Sequence, residues 1–146
     1  MPRWIKIGLW VVAILVIGLI AIQFVPYGRE HTNPPVTNRA TFADARTAQL
    51  VKGACFDCHS NETVWPWYSS IAPASWLVYN DVQEGRENLN FSEWPATGGS
   101  GLMLAASQIV REGEMPPIQY KLAHSSARLS DEERKQLADG LRASGR

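Results

Sequence analysis

The only two cysteines of this 146-residue chain stand three positions apart and are followed at once by a histidine, in Cys55-Phe56-Asp57-Cys58-His59. That spacing excludes the long-range disulfides on which many small secreted domains depend, so the pair has to be explained locally. C-x-x-C-H is the pattern of c-type haem attachment. Residues three apart on a helical turn project to one side, so both thiols can form thioethers with the two vinyl groups of one porphyrin. The adjacent imidazole of His59 then reaches the iron from one face. Three other chemistries use parts of the pattern. A thioredoxin-like redox pair belongs to a βαβ setting, and no alternating strand pattern flanks these residues. A zinc site would want further ligands at short spacing, whereas there is no second C-x-x-C, no H-x-x-x-H pair, and His124 lies far along the chain. A local disulfide leaves His59 unexplained.

A second feature partitions the chain. Residues 7–25 are apolar except for Gln23, and nineteen residues at the helical rise span roughly 30 Å, the thickness of a hydrocarbon core. Arg3 and Lys6 precede the run, Trp4 and Trp10 lie near one end and Tyr27 at the other, which suits a single crossing with the N-terminus cytoplasmic. The run exceeds a typical signal-peptide apolar region and no Ala-x-Ala site closes it, so an uncleaved anchor is expected. Beyond the run, Pro26, Gly28, Asn33, Pro34 and Pro35 prevent regular structure, and residues 26–40 read as an extended tether able to reach about 40 Å from the membrane. The expected organisation is therefore a cytoplasmic stub and anchor (residues 1–25), the tether (26–40) and one small haem-binding domain (41–146). So short a domain buries a modest share of its surface, and a large apolar prosthetic group would supply missing core volume. Fourteen basic residues balance fourteen acidic ones, which removes the field expected of a nucleic-acid binder.

The domain is expected to be all-α with long loops. Residues 41–53 carry helix-favouring Ala, Arg, Gln and Leu. Pro73 would open a helix over 73–87, and one over 102–112 would lie between the glycine cluster Gly98-Gly99-Ser100-Gly101 and Gly113. Ser130 and Glu133 form a capping box before a stripe through Leu137 and Leu141.

The sixth iron position decides between electron transfer and reaction with small molecules. Met115 is the first candidate, because Pro116 and Pro117 stiffen its loop and prevent a continuing helix. His124, nine positions on, is the rival, since imidazole binds haem iron well, and His31 is a third. Met103, inside an apolar helical run, reads as packing. Trp65, Trp67 and Tyr68, close after the motif, would cover an edge of the porphyrin and offer donors to its propionates. Arg86 and Arg111 would pair with the same carboxylates. For each of these taken singly, an ordinary core aromatic or solvated arginine accounts equally well.

Taken in order, Cys55-x-x-Cys58-His59, Met115-Pro116-Pro117 and Leu129-Ser130-Asp131-Glu132-Glu133 resemble class I cytochromes c. A closer resemblance is to the bacterial haem-binding domain proteins, small membrane-anchored chains with one haem-attachment motif. It runs from Tyr27-Gly28-Arg29-Glu30-His31-Thr32-Asn33-Pro34-Pro35 through Ala54-Cys55-Phe56-Asp57-Cys58-His59-Ser60-Asn61-Glu62-Thr63 and Trp65-Pro66-Trp67-Tyr68. It continues in Ile71-Ala72-Pro73, Ser75-Trp76-Leu77, Asp81-Val82, Glu84-Gly85-Arg86, Leu89-Asn90-Phe91-Ser92, Trp94, Gly113-Glu114-Met115-Pro116-Pro117, Tyr120 and His124. The resemblance implies covalent haem at Cys55 and Cys58 with His59 on the iron. Residues 118–128 make a longer connection than the general cytochrome pattern has, and carry Tyr120 and His124. The function expected is a monohaem c-type cytochrome, on the periplasmic side of a bacterial inner membrane, carrying electrons to a respiratory redox partner after loading by haem-attachment machinery. The alternative is a haem enzyme or sensor, reducing peroxide or reporting a small gas at an open or displaceable sixth position, with Tyr120 or His124 as distal group.

Overall fold

The structure, a computed structural model, describes residues 2–145. Among these there are seven α-helices and no strand, as the patterning leads one to expect, with a lone parallel bridge between Asn38 and Glu93. The helices are α1 (Arg3–Ile22), α2 (Ala45–Ala54), α3 (Phe56–His59), α4 (Ala74–Asn88), α5 (Gly99–Glu112), α6 (Ile118–Ala123) and α7 (Asp131–Ser144). The chain forms two compact units: one joins the segment ending at Thr32 with Trp65–Asp81, the other joins Asn33–Val64 with the segment from Val82 onward. Helix α4 begins in the first and ends in the second.

In the first unit α1 buries none of its residues, and its mean hydropathy of 2.7 makes it long and apolar enough to cross a membrane. Just past its end, the Gln23 side chain pairs with the backbone of Ala72 twice, donating from Nε2 to the carbonyl at 2.9 Å and accepting from the amide N–H at Oε1 at 3.0 Å. Tyr27 meets Tyr79 edge to face, with ring centroids 5.4 Å apart. Gly28, at φ 74°, lies against the backbone of Ser75, where a Cβ would come within 2.7 Å of the carbonyl oxygen. Left-handed geometry and lack of room both select glycine there.

The second unit is built around α7, which packs on α5 and on α2. Its core unites Leu50 and Val51 of α2, Met103 and Val110 of α5, and Leu137, Ala138 and Leu141 of α7 with Ala40, Phe56 and Phe91. Met103 is thus a packing residue, as its place in an apolar run indicates. Ser107 of α5 donates to the Ala138 carbonyl at 2.7 Å. Gly140 of α7 lies so close to Thr47 of α2 that a Cβ would overlap the threonine side chain. The expected capping box is present: Ser130 accepts from the Glu133 N–H, and Glu133 reaches back to the Ser130 N–H.

Two boundaries differ from the sequence reading. Helix α2 starts at Ala45 rather than near 41, because Asp44 turns its carboxylate onto the N–H and hydroxyl of Thr47 and so caps the helix. The glycine cluster does not precede α5 but opens it: only Gly98, at φ 84°, stays outside, while Gly99 lets the Trp94 indole lie against the first turn. The connection read as a long loop holds the short helix α6 and a 3-10 turn at Ser125–Ala127.

Replacing Gly140 with Ala should destabilise the second unit by about 1–3 kcal/mol through overpacking against Thr47, read as a lowered thermal midpoint. Asp44 and Glu133 also set a pH dependence. Backbone and side-chain hydrogen bonds from Thr47 hold the Asp44 carboxyl below the usual range, and those from Ser130, with Arg46, do so for Glu133. A folded-state value below the unfolded one stabilises the fold above the ordinary carboxylate range, and that contribution fades as pH falls through about 4. Asp44→Asn with Glu133→Gln should flatten the thermal midpoint's pH dependence in that window.

Candidate functional site: the Cys55–His59 turn

Helix α2 ends on Cys55, whose φ of −127° breaks the helix for one residue before α3 begins. The next turn closes at once, with the N–H groups of Cys58 and His59 donating to the Cys55 carbonyl at 3.2 and 2.9 Å. Cys55 and Cys58 are therefore one helical turn apart, each partly buried. Phe56, between them, points into the core and stacks on Phe91, which stacks in turn on Trp94. Burial, and secondarily the neighbouring Cys58, pushes the Cys55 thiol up to about 12. Such a thiol stays protonated at neutral pH, opposite to the lowered value that activates a redox dithiol.

His59 is held from behind. Its Nδ1 lies 2.9 Å from the Gly85 carbonyl oxygen and 3.0 Å from that of Leu89. Carbonyl oxygens only accept, so Nδ1 carries the proton and Nε2 is left with its lone pair. Burial lowers the pKa of the ring, and these two hydrogen bonds offset part of that effect. A neutral imidazole with its far nitrogen anchored by carbonyls is the form in which histidine binds a metal. The His59 carbonyl meanwhile accepts from Phe91 N–H at 2.8 Å. This approach depends on Gly85, where a Cβ would strike the Cys58 carbonyl and its side chain. Sequence reasoning assigned Gly85 no role of its own; the signal was an isolated glycine inside a helical pattern, which marks close packing.

Asp57, the second variable position of the motif, organises the other side. Its Oδ1 accepts from Val64 N–H at 3.0 Å, its carbonyl from the Thr63 hydroxyl at 2.7 Å, and its Oδ2 from the Tyr120 hydroxyl at 2.6 Å. Burial first, then the bond to Asp57 and the neighbouring Cys58 and Cys55, push the Tyr120 pKa up, so the phenol remains a donor. Helix α6 is thus brought to the Cys55–His59 turn, yet it buries none of its residues, and Ile118 and Leu122 stand 66% and 73% exposed. Two thiols one turn from an imidazole whose Nε2 keeps its lone pair make a donor set that fits a porphyrin.

The other candidate residues have varied settings. Met115 stands on the loop leaving α5 and is 39% exposed. His124 stacks on Tyr120 at a centroid distance of 4.0 Å, with Nδ1 3.2 Å from the Tyr120 carbonyl. Arg86 directs its guanidinium onto the loop after the motif, donating to the Ser60 carbonyl, the Thr63 hydroxyl and Asn33, each at 2.9 Å. Arg111 pairs with Asp139. Trp65, Trp67 and Tyr68 belong to the first unit. There Trp65 stacks on His31, whose Nε2 lies 3.0 Å from the Ser69 carbonyl, and Tyr68 meets Trp67 edge to face. The indole N–H of Trp65 is buried without a partner, as are the Trp76 indole N–H and the Ser75 hydroxyl. Among the described residues no cluster of three or more His, Cys, Asp or Glu side chains is arranged to chelate an ion directly.

No curated protein and no solved structure matches the chain. The model of one family, described as the haem-binding domain, matches residues 17–143. With the Cys55–His59 turn and its anchored imidazole inside the matched region, the chain belongs to the haem-binding domain family and is a haem protein.

Proposed function

We propose that the protein is a membrane-anchored monohaem c-type cytochrome that carries electrons on the extracytoplasmic side of a bacterial inner membrane. The observation that carries this reading is the setting of His59, whose Nδ1 proton is committed to the Gly85 and Leu89 carbonyls one turn from two thiols. Cys55 and Cys58 would hold the group by thioether bonds, and Nε2 of His59 would take the iron. When bound, haem supplies an iron that alternates between two oxidation states. The chain's own share is to keep His59 neutral and fixed in rotation, and to cover the macrocycle with apolar surface. Gly85 keeps the turn against α4, and the Tyr120–Asp57 bond keeps α6 beside it. Met115 is the proposed sixth ligand, with His124 as the alternative. A neutral thioether there raises the potential relative to bis-histidine ligation and suits donation to a respiratory partner. Anchoring rests on α1, with Arg3 and Lys6 on the cytoplasmic side.

A second reading, a haem enzyme or sensor, draws on the Tyr120–His124 stack beside the motif, which offers a hydroxyl and an imidazole for a distal role.

Protein made with haem-attachment machinery present should give a pyridine haemochrome spectrum of one haem per chain that resists acidified organic solvent. Cys55→Ala with Cys58→Ala should abolish that retention, and colourless wild-type protein would refute the reading. Met115→Ala should lower the midpoint potential by a sizeable part of the roughly 0.8 V that axial ligation spans, and should admit carbon monoxide. Rapid carbon monoxide binding by the unmodified reduced protein would favour the enzyme or sensor instead.

A further inference from the structure

We infer that residues 65–80 form a second membrane contact, a lipid-interface surface lying beside the exit of α1; the inference rests on the proposed crossing by that helix. This stretch, Trp65-Pro66-Trp67-Tyr68-Ser69-Ser70-Ile71-Ala72-Pro73-Ala74-Ser75-Trp76-Leu77-Val78-Tyr79-Asn80, contains no charged residue, although 19% of the chain is charged. It holds three of the six tryptophans and two of the four tyrosines, the residues that concentrate where headgroups meet hydrocarbon. Three of its large apolar side chains are turned outward: Trp67 is 78% exposed, Ile71 47% and Leu77 49%. Exposed apolar surface of this kind marks a partner surface.

Lipid is the occupant because of where the segment is tied. Gln23 is the first residue beyond Ile22, the end of α1, and still lies inside the apolar run. Its amide is clamped on both polar groups of the Ala72 backbone. A crossing α1 therefore places Ala72, and its neighbour Ile71, at the depth where the bilayer ends. Near hydrocarbon a loop backbone needs partners from protein, and the Gln23 amide supplies both a donor and an acceptor to one residue. Gln23, the single polar residue of the apolar run, thereby acquires a purpose. Trp67 and Ile71, at the two ends of the 3-10 turn Trp67–Ser70, would then rest among headgroups and upper acyl chains instead of water.

The full-length haem-loaded protein, reconstituted in phosphatidylcholine–phosphatidylglycerol vesicles with a phospholipid bearing a diazirine near the acyl carbonyl, tests this after photolysis by peptide mass spectrometry. Lipid adducts are expected on α1 and on the peptide containing Trp67 and Ile71, at a level well above the peptide containing Ile118 and Leu122. Gln23→Ala should reduce the adduct on the Trp67 peptide severalfold while leaving that on α1. Adducts on α1 with none on the Trp67 peptide would overturn the inference, assign that surface to a protein partner, and leave anchoring intact. Absence of adducts on α1 would overturn anchoring and this inference together.

Discussion

One imidazole N–H facing two carbonyl oxygens organises the second unit. The ring of His59 can be held by Gly85 and Leu89 only because α4 comes down onto the turn between Cys55 and His59. That approach exists only because position 85 has no Cβ to meet the Cys58 carbonyl. The same contact fixes the tautomer, leaving Nε2 as the atom with a lone pair. Burial contributes by disfavouring the imidazolium, so the ring is neutral without help from any carboxylate. A histidine prepared this way is already in the neutral, oriented form in which an imidazole binds a metal.

The environment that prepares His59 also restrains Cys55. Desolvation raises the Cys55 thiol far above neutral pH, which makes it a poor nucleophile and a poor member of a dithiol redox pair. Asp57 adds a structural role to a position that the motif leaves variable: its carboxylate gathers Val64 and Tyr120 onto the Cys55–His59 turn. Through that bond α6, too short and too exposed to hold itself by burial, is fixed beside the thiols.

The first unit obeys a different physical logic. From Ile7 onward helix α1 is apolar on all sides, and its partner segment lacks charge and turns Trp67, Ile71 and Leu77 outward. Neither would be expected of a surface facing only water. The Gln23–Ala72 pairing satisfies backbone groups that an apolar setting would leave unmet, and the left-handed Gly28 lets the chain pass close against Ser75.

Much was determined by local chemistry and so could be read from residues alone. The spacing of Cys55, Cys58 and His59 dictates one turn of helix, Ser130 and Glu133 specify the start of α7, and the apolar run specifies α1, because each depends on neighbours within a few positions. Other features depend on partners distant in the chain and were decided only by packing. Gly99 reads as a boundary until Trp94 is seen lying against it, and the charge of Arg86 reads as available until its guanidinium is found on Ser60, Thr63 and Asn33. Helix α6 is too short for periodicity to reveal, and the bond from Tyr120 to Asp57 spans 63 residues of chain. The tautomer of His59 belongs to this second class as well: a ring nitrogen's proton is assigned by whatever acceptors the fold sets against it, and those lie 26 and 30 residues away.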